Sequence, residues 1–221
     1  MMTNLFSVFD PSTGIMSLNW VSTFIGLLLM PLMFWVLPSR FHMFNLMINK
    51  KLYDELSVLM GNFYMGNSLM FISLFLFILF NNVLGLIPYV FTSSSHLIFT
   101  LSMALPIWIS LMLYGWLIKT NKMFYHLIPI GTPYVLMPFM VCIETVSNLI
   151  RPGSLAVRLT ANMIAGHLLM TLLGNMMSNT NMVLILFFVL IQVVLLMFEM
   201  AVSIIQAYVF TVLGTLYSSE V

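Results

Sequence analysis

Of the 221 residues, 62% are hydrophobic and only 6% charged, against about 25% charged in an average soluble domain, which excludes a water-soluble globule. The net charge of +1 comes without a block of like charges, so there is no basic patch to neutralise a row of phosphates and no nucleic-acid partner is expected. The one cysteine, Cys142, excludes an internal disulfide, a four-ligand zinc site and a cysteine-held iron-sulfur cluster, and reads as a small buried hydrophobe.

From Met1 to Ser17 there is no Lys or Arg and one acid, Asp10. Neither a secretory signal nor an Arg-rich presequence is expected, so the apolar segments themselves would direct insertion. Residues 17–37 carry no charge and are long enough to cross the roughly 30 Å hydrocarbon layer as one helix. Pro38, Ser39 and Arg40 end it. Phe41, Phe44, Ile48, Leu52, Leu56 and Leu59 then recur at spacings of three and four opposite Lys50, Asp54 and Ser57, which predicts an interfacial helix over 41–60. Asn45 and Glu55 sit near its apolar stripe and leave a plain polar loop as the alternative.

Residues 68–91 and 97–118 form two further spans. The short turn 92–96 makes them an antiparallel hairpin. Arg40, Lys50 and Lys51 follow the first span, the 92–96 turn has no Lys or Arg, and Lys119 and Lys122 follow the third. By the positive-inside rule the N-terminus and the 92–96 turn lie outside.

Two apolar stretches are too long to stand upright. Residues 134–177 and 183–217 would measure about 66 Å and about 52 Å as helices. The second contains no proline, and its one glycine, Gly214, lies near its end. It is therefore expected to lie tilted by roughly 55° from the membrane normal. Pro152 and Gly153 leave the first either kinked or cut. With no repeat of fixed period, residues 1–221 form a single membrane domain. The predicted fold class is an all-α integral membrane protein with upright spans and two long, strongly tilted helices.

The ionisable groups within these stretches are few. Glu144, Arg151 and Arg158 step by seven on the first, followed by Asn162 and His167; Gln192, Glu199 and Gln206 step by seven on the second, joined by Ser203. A step of seven drifts only about 20° around a helix, so each stretch carries one polar stripe. A charge at mid-membrane costs at least about 2.5 to 3.5 kcal/mol on insertion scales, which makes each of these residues a functional candidate. Arg158 cannot shed its proton and has no acid three or four residues away, so it is a fixed positive point. Its alternative is a structural partner for Glu144 or Glu199. Arg151, beside Pro152, reads better as structural, meeting headgroups or capping a kink.

Glu199 has no basic neighbour on its own stretch, which suits a carboxyl that takes up and releases a proton; the alternative is a helix-to-helix hydrogen bond. His167 follows Ala165 and Gly166, small residues that admit a close neighbouring helix, and it reads equally as a proton relay or a satisfied core histidine. Asn81, Asn82, Gln192 and Gln206 each read as polar glue. His42, His96, His126 and His167 lie on different segments, so no haem axial pair is expected, and G-x-S-x-G and H-E-x-x-H are absent. No metal, cofactor or catalytic centre is expected.

The segments Ile143-Glu144-Thr145, Asn148-Leu149-Ile150-Arg151-Pro152-Gly153, Val157-Arg158-Leu159-Thr160-Ala161-Asn162 and Ala165-Gly166-His167, with Gln206-Ala207-Tyr208-Val209-Phe210 and Thr215-Leu216-Tyr217, resemble subunit a of the F-type ATP synthase in its animal mitochondrial form. The similarity runs over essentially the whole chain, and the Met-rich composition is similar to that of products of animal mitochondrial genomes. The resemblance implies a non-catalytic stator subunit in the mitochondrial inner membrane. Its partners would be a rotating c-subunit ring, the peripheral stalk, other small membrane subunits and the lipid bilayer. Arg158 matches the family's essential arginine, Glu199 and His167 a polar pair that bacterial relatives carry exchanged, Gln206 and Asn162 polar neighbours of the arginine, and Glu144 an acid along the proton path. Ile164 stands where many animal relatives have Thr. A secondary transporter and a quinone-coupled redox subunit remain the rival classes, the former disfavoured by the lack of an internal repeat.

Overall fold

The computed structural model describes residues 5–12, 16–30, 36–61, 65–128, 133–177 and 181–220. Its helices are α1 (Ser22–Leu29), α2 (Arg40–Met60), α3 (Met65–Gly85), α4 (Leu97–Ile118), α5 (Thr120–His126), α6 (Met137–Met177) and α7 (Met182–Glu220), with short 3-10 turns at Leu5–Phe9, Leu18–Val21 and Ser93–Ser95. No strand occurs among the described residues. Segments of α3, α4, α6 and α7 are long and apolar enough to cross a membrane, and the protein is an all-α integral membrane protein.

The stretch expected as one helix over 17–37 is divided. A 3-10 turn leads into α1, which stops at Leu29, and Met30 takes extended backbone. The cause is Pro31, whose ring disfavours the helical region for the residue before it; residues 31–35 lie outside the description. In the same way α3 ends at Gly85, ahead of Pro88 and of Tyr89 at φ 71°, so it stops short of residue 91.

Where the sequence left helix or loop open over 41–60, the chain is helical. The Ser39 hydroxyl accepts the His42 backbone N–H at 3.4 Å at its start, as an N-cap does. Gly61, at φ 75°, stops it. The α2 face bearing Leu56 and Met60 packs on Phe71 of α3, while Lys50, Lys51 and Asp54 are exposed.

Prolines 106 and 152 lie inside α4 and α6. Of the two possibilities at Pro152, the helix runs on without a break. Each proline removes one backbone donor, which helices in lipid tolerate when neighbours close over the site, and Pro152 is buried.

The core lies where α3, α4, α6 and α7 meet, around Phe75, Ile78, Ala104, Leu155, Ala156, Leu159, Ala207 and Phe210. Ala156 and Ala207 are fully buried, the small-residue contact by which membrane helices approach without a hydrophobic driving force. Buried hydroxyls bond back to their own helices: Thr160 to Val157 O at 2.9 Å, Ser203 to Met200 O at 2.7 Å, Thr211 to Tyr208 O at 2.9 Å and Thr215 to Val212 O at 2.8 Å. This satisfies polar groups where no water can. The opposite side of α7 shows Leu186, Phe187, Leu190, Val194, Met197 and Phe198 outward, an apolar face suited to lipid or to other subunits.

Candidate functional site

Two polar regions stand at opposite ends of the four-helix core. The first lies at the end marked by the 85–96 connection. Glu199 of α7 is buried there with 6% exposure, against Gly166 of α6: a Cβ added at Gly166 would overlap the Glu199 carboxylate. Gly166 is thus needed for close approach, since any side chain would occupy the carboxyl's place. His167, next in sequence, directs its ring at the Gly85 backbone and meets the ring of Phe9 edge-on at 6.2 Å.

Around this pair the polar residues are deeply buried. Asn82 donates to Ser203 O at 3.4 Å, one turn along α7 from Glu199. Thr92, Ser93, Ser94 and Ser95 are all buried, closed by Ser95 Oγ donating to Thr92 O at 2.7 Å. His167 Nε2, Asn82 Oδ1 and Ser94 Oγ have no hydrogen-bond partner among the described residues. These open polar atoms lie in the same buried end as the Glu199 carboxyl.

The second region lies at the other end. Arg151 of α6 holds Glu220 of α7 in an ion pair, has Glu144 at 3.7 Å and covers the ring of Tyr217 at 5.1 Å. These groups open onto a cavity of about 610 Å³ whose wall includes Trp108, Trp116, His126 and Asn148. The stripe of Glu144 and Arg151 read from the spacing of seven is a contact between their side chains. Arg151, expected to meet headgroups or cap a kink, is instead ion-paired, and its partner Glu220 was not anticipated.

Arg158 lies between the two regions, about 10 Å along α6 from Arg151 and about 12 Å from Gly166. It is exposed on the outer side of the helix, with no ion pair or hydrogen bond among the described residues, so neither Glu144 nor Glu199 neutralises it. Asn162 is half-buried one turn on. Gln206 is half-buried beside Ala207, which shares a core cluster with Ala156 and Leu159 and so brings Gln206 to the level of Arg158. The six residues singled out from the sequence therefore fall at three levels: Glu199 and His167 together, Arg158 with Asn162 and Gln206, and Glu144 apart at the far end.

Sequence reasoning read residues 92–96 only as a small polar turn and did not anticipate the burial of 92–95. Three consecutive serines immediately before a helix were the available signal. Cys142, expected to be buried, is exposed. No group of three or more metal-ligating side chains is found among the described residues.

The family model for ATP synthase A chain matches residues 14–219. The chain is 62% identical over 225 residues to ATP synthase subunit a of Aedes aegypti, 62% identical over 225 residues to that of Anopheles gambiae and 59% identical over 223 residues to that of Drosophila melanogaster, in each case across 100% of both chains. By the match to that model and by these relatives, the chain belongs to the ATP synthase A chain family.

Proposed function

We propose that this chain is the proton-conducting stator subunit of the membrane sector of a mitochondrial ATP synthase, working against a ring of small subunits that each carry one membrane carboxylate. The observation that carries the reading is the unpaired, outward-facing Arg158 between two separated polar regions. Each region acts as an aqueous half-channel reaching the ring from one side. A ring carboxylate can face lipid only when protonated, because a bare anion there is too costly. At the stator it gives up its proton to one region and is held by Arg158, at about 4 kcal/mol for a pair 4 Å apart in an effective dielectric of 20. A proton from the other region releases it.

Because the guanidinium stays charged, it also repels a proton moving straight from one region to the other. Proton flow is thereby tied to ring rotation, each elementary charge contributing about 2.3 kcal/mol per 100 mV. Glu199 and His167 pass protons within the first region, Glu144 lines the second, and Asn162 and Gln206 hold water beside the arginine. The first region and the N-terminus face the intermembrane space. Arg40 starts α2, Lys50 and Lys51 lie within it, Lys119 caps the end of α4 and Lys122 lies in α5, whereas the 92–96 turn has no Lys or Arg, which supports that orientation.

Replacing Arg158 with Ala abolishes proton-driven ATP synthesis while the soluble head still hydrolyses ATP; normal synthesis in that variant would overturn the reading. A ring of small proteolipids is expected to co-purify with the chain, and its absence would favour a stand-alone transporter.

A further inference from the structure

We infer that Arg151 is a positioning residue, which through Glu220 and Tyr217 ties the end of α7 to the middle of α6 and so sets the register of the two polar stripes that flank Arg158. The inference rests on the stator reading above. It comes from how the two long helices are joined. At one end α7 is seated by Glu199 against Gly166, and at mid-length by Ala207 and Phe210 in the core. Beyond the core, Gly214 packs on the Phe71 ring of α3, and Tyr217 and Glu220 meet α6 through Arg151.

Three interactions converge on that one guanidinium: the Glu220 pair, Glu144 at 3.7 Å and the Tyr217 ring at 5.1 Å. A planar guanidinium can serve a carboxylate with its edge and an aromatic ring with its face at once, which an ammonium cannot. The side chains are neither bare nor sealed, with exposures of 27% for Arg151, 35% for Glu144 and 51% for Glu220, so an isolated pair here would contribute little. Its consequence is geometric. Helices slide past one another in discrete steps rather than continuously. Without the tie, the α7 end can slip relative to α6, moving Glu199 and Gln206 away from the levels of Gly166 and Arg158. Arg151 also touches Glu144, which lines the second region, so Glu220→Gln, which leaves that contact in place, isolates its action through the position of α7.

The test uses membranes carrying the whole complex with Arg151→Gln, Glu220→Gln, the double variant and Arg151→Lys, each normalised to assembled complex. The reading is the number of protons pumped per ATP hydrolysed, a ratio that simple loss of complex does not move. Each single Gln variant lowers the ratio about threefold, the double variant is no worse than either single, and Arg151→Lys recovers only part. Should Arg151→Gln fail to assemble, Glu220→Gln alone carries the test. Additive losses in the double variant, or an unchanged ratio in Glu220→Gln, would overturn the inference. Arg158→Ala in the same membranes separates the two ideas: if it keeps full coupling, the stator reading falls; if it abolishes coupling while Glu220→Gln does not change the ratio, only the positioning role falls.

Discussion

The two polar regions solve the problem of polar groups in lipid in opposite ways. Around Glu199 the surroundings are amides, hydroxyls and one imidazole, deeply buried, with several hydrogen-bonding atoms left open and no Lys or Arg in the described contacts. Around Arg151 the charges are half-exposed and answered by opposite charges. A lone buried carboxyl is costly as an anion and therefore suits a group that exchanges protons; a paired ion network suits a fixed structure. Two helices of one chain thus carry a carboxyl buried among neutral groups at one end and a set of paired charges at the other, with Arg158 unpaired between them among the described residues.

That contrast can be broken from the buried end first. Glu199→Gln removes the exchangeable proton while keeping shape, and proton-driven ATP synthesis is expected to fall at least tenfold; unchanged conduction in vesicles would reduce Glu199 to packing. Gly166→Ala keeps every titratable group but places a methyl where the Glu199 carboxylate sits. Synthesis is expected to fall severalfold at equal assembly, and an Ala variant as active as the parent would mean the Gly166 approach is dispensable. At Gly214 a Cβ would come within 2.7 Å of Cε1 of Phe71, a ring with only 2% exposure. Gly214→Ala is therefore expected to cost about 1 to 3 kcal/mol of stability, read as a lower midpoint for thermal dissociation of the complex, with little change in coupling. The smallest effect belongs to Ser94→Ala, which removes one open hydroxyl; conduction is expected to slow by less than twofold, and an effect as large as that of Glu199→Gln would move the proton path onto the 92–95 turn.

Much of this was readable from residue order alone. The last two apolar stretches are long helices, as their lengths implied, of 41 and 39 residues, and the steps of seven placed Glu144 and Arg151 on one face, where they meet at 3.7 Å. The absence of an acid near Arg158 in sequence matched its unpaired state. Ala165 and Gly166 marked a close approach, although the group that approaches is a carboxylate. What could not be read depends on pairing distant segments. The Glu220 partner of Arg151 is 69 positions away, and the burial of Thr92–Ser95 follows from packing against α3, α4 and α6 that no local pattern encodes. The early end of α1 was legible in principle, since Met30 precedes a proline, but an uncharged run of that length invites reading as one span.

The most direct test of the central claim is passive proton flux through the membrane sector with the catalytic head inhibited so that the ring cannot turn. In the parent complex the permanent charge of Arg158 keeps the two regions apart and flux stays near the background of the lipid. In Arg158→Gln, with assembly matched, flux through the stalled complex is expected to rise severalfold as protons cross between the regions directly; flux that stays at the parent level would contradict the account.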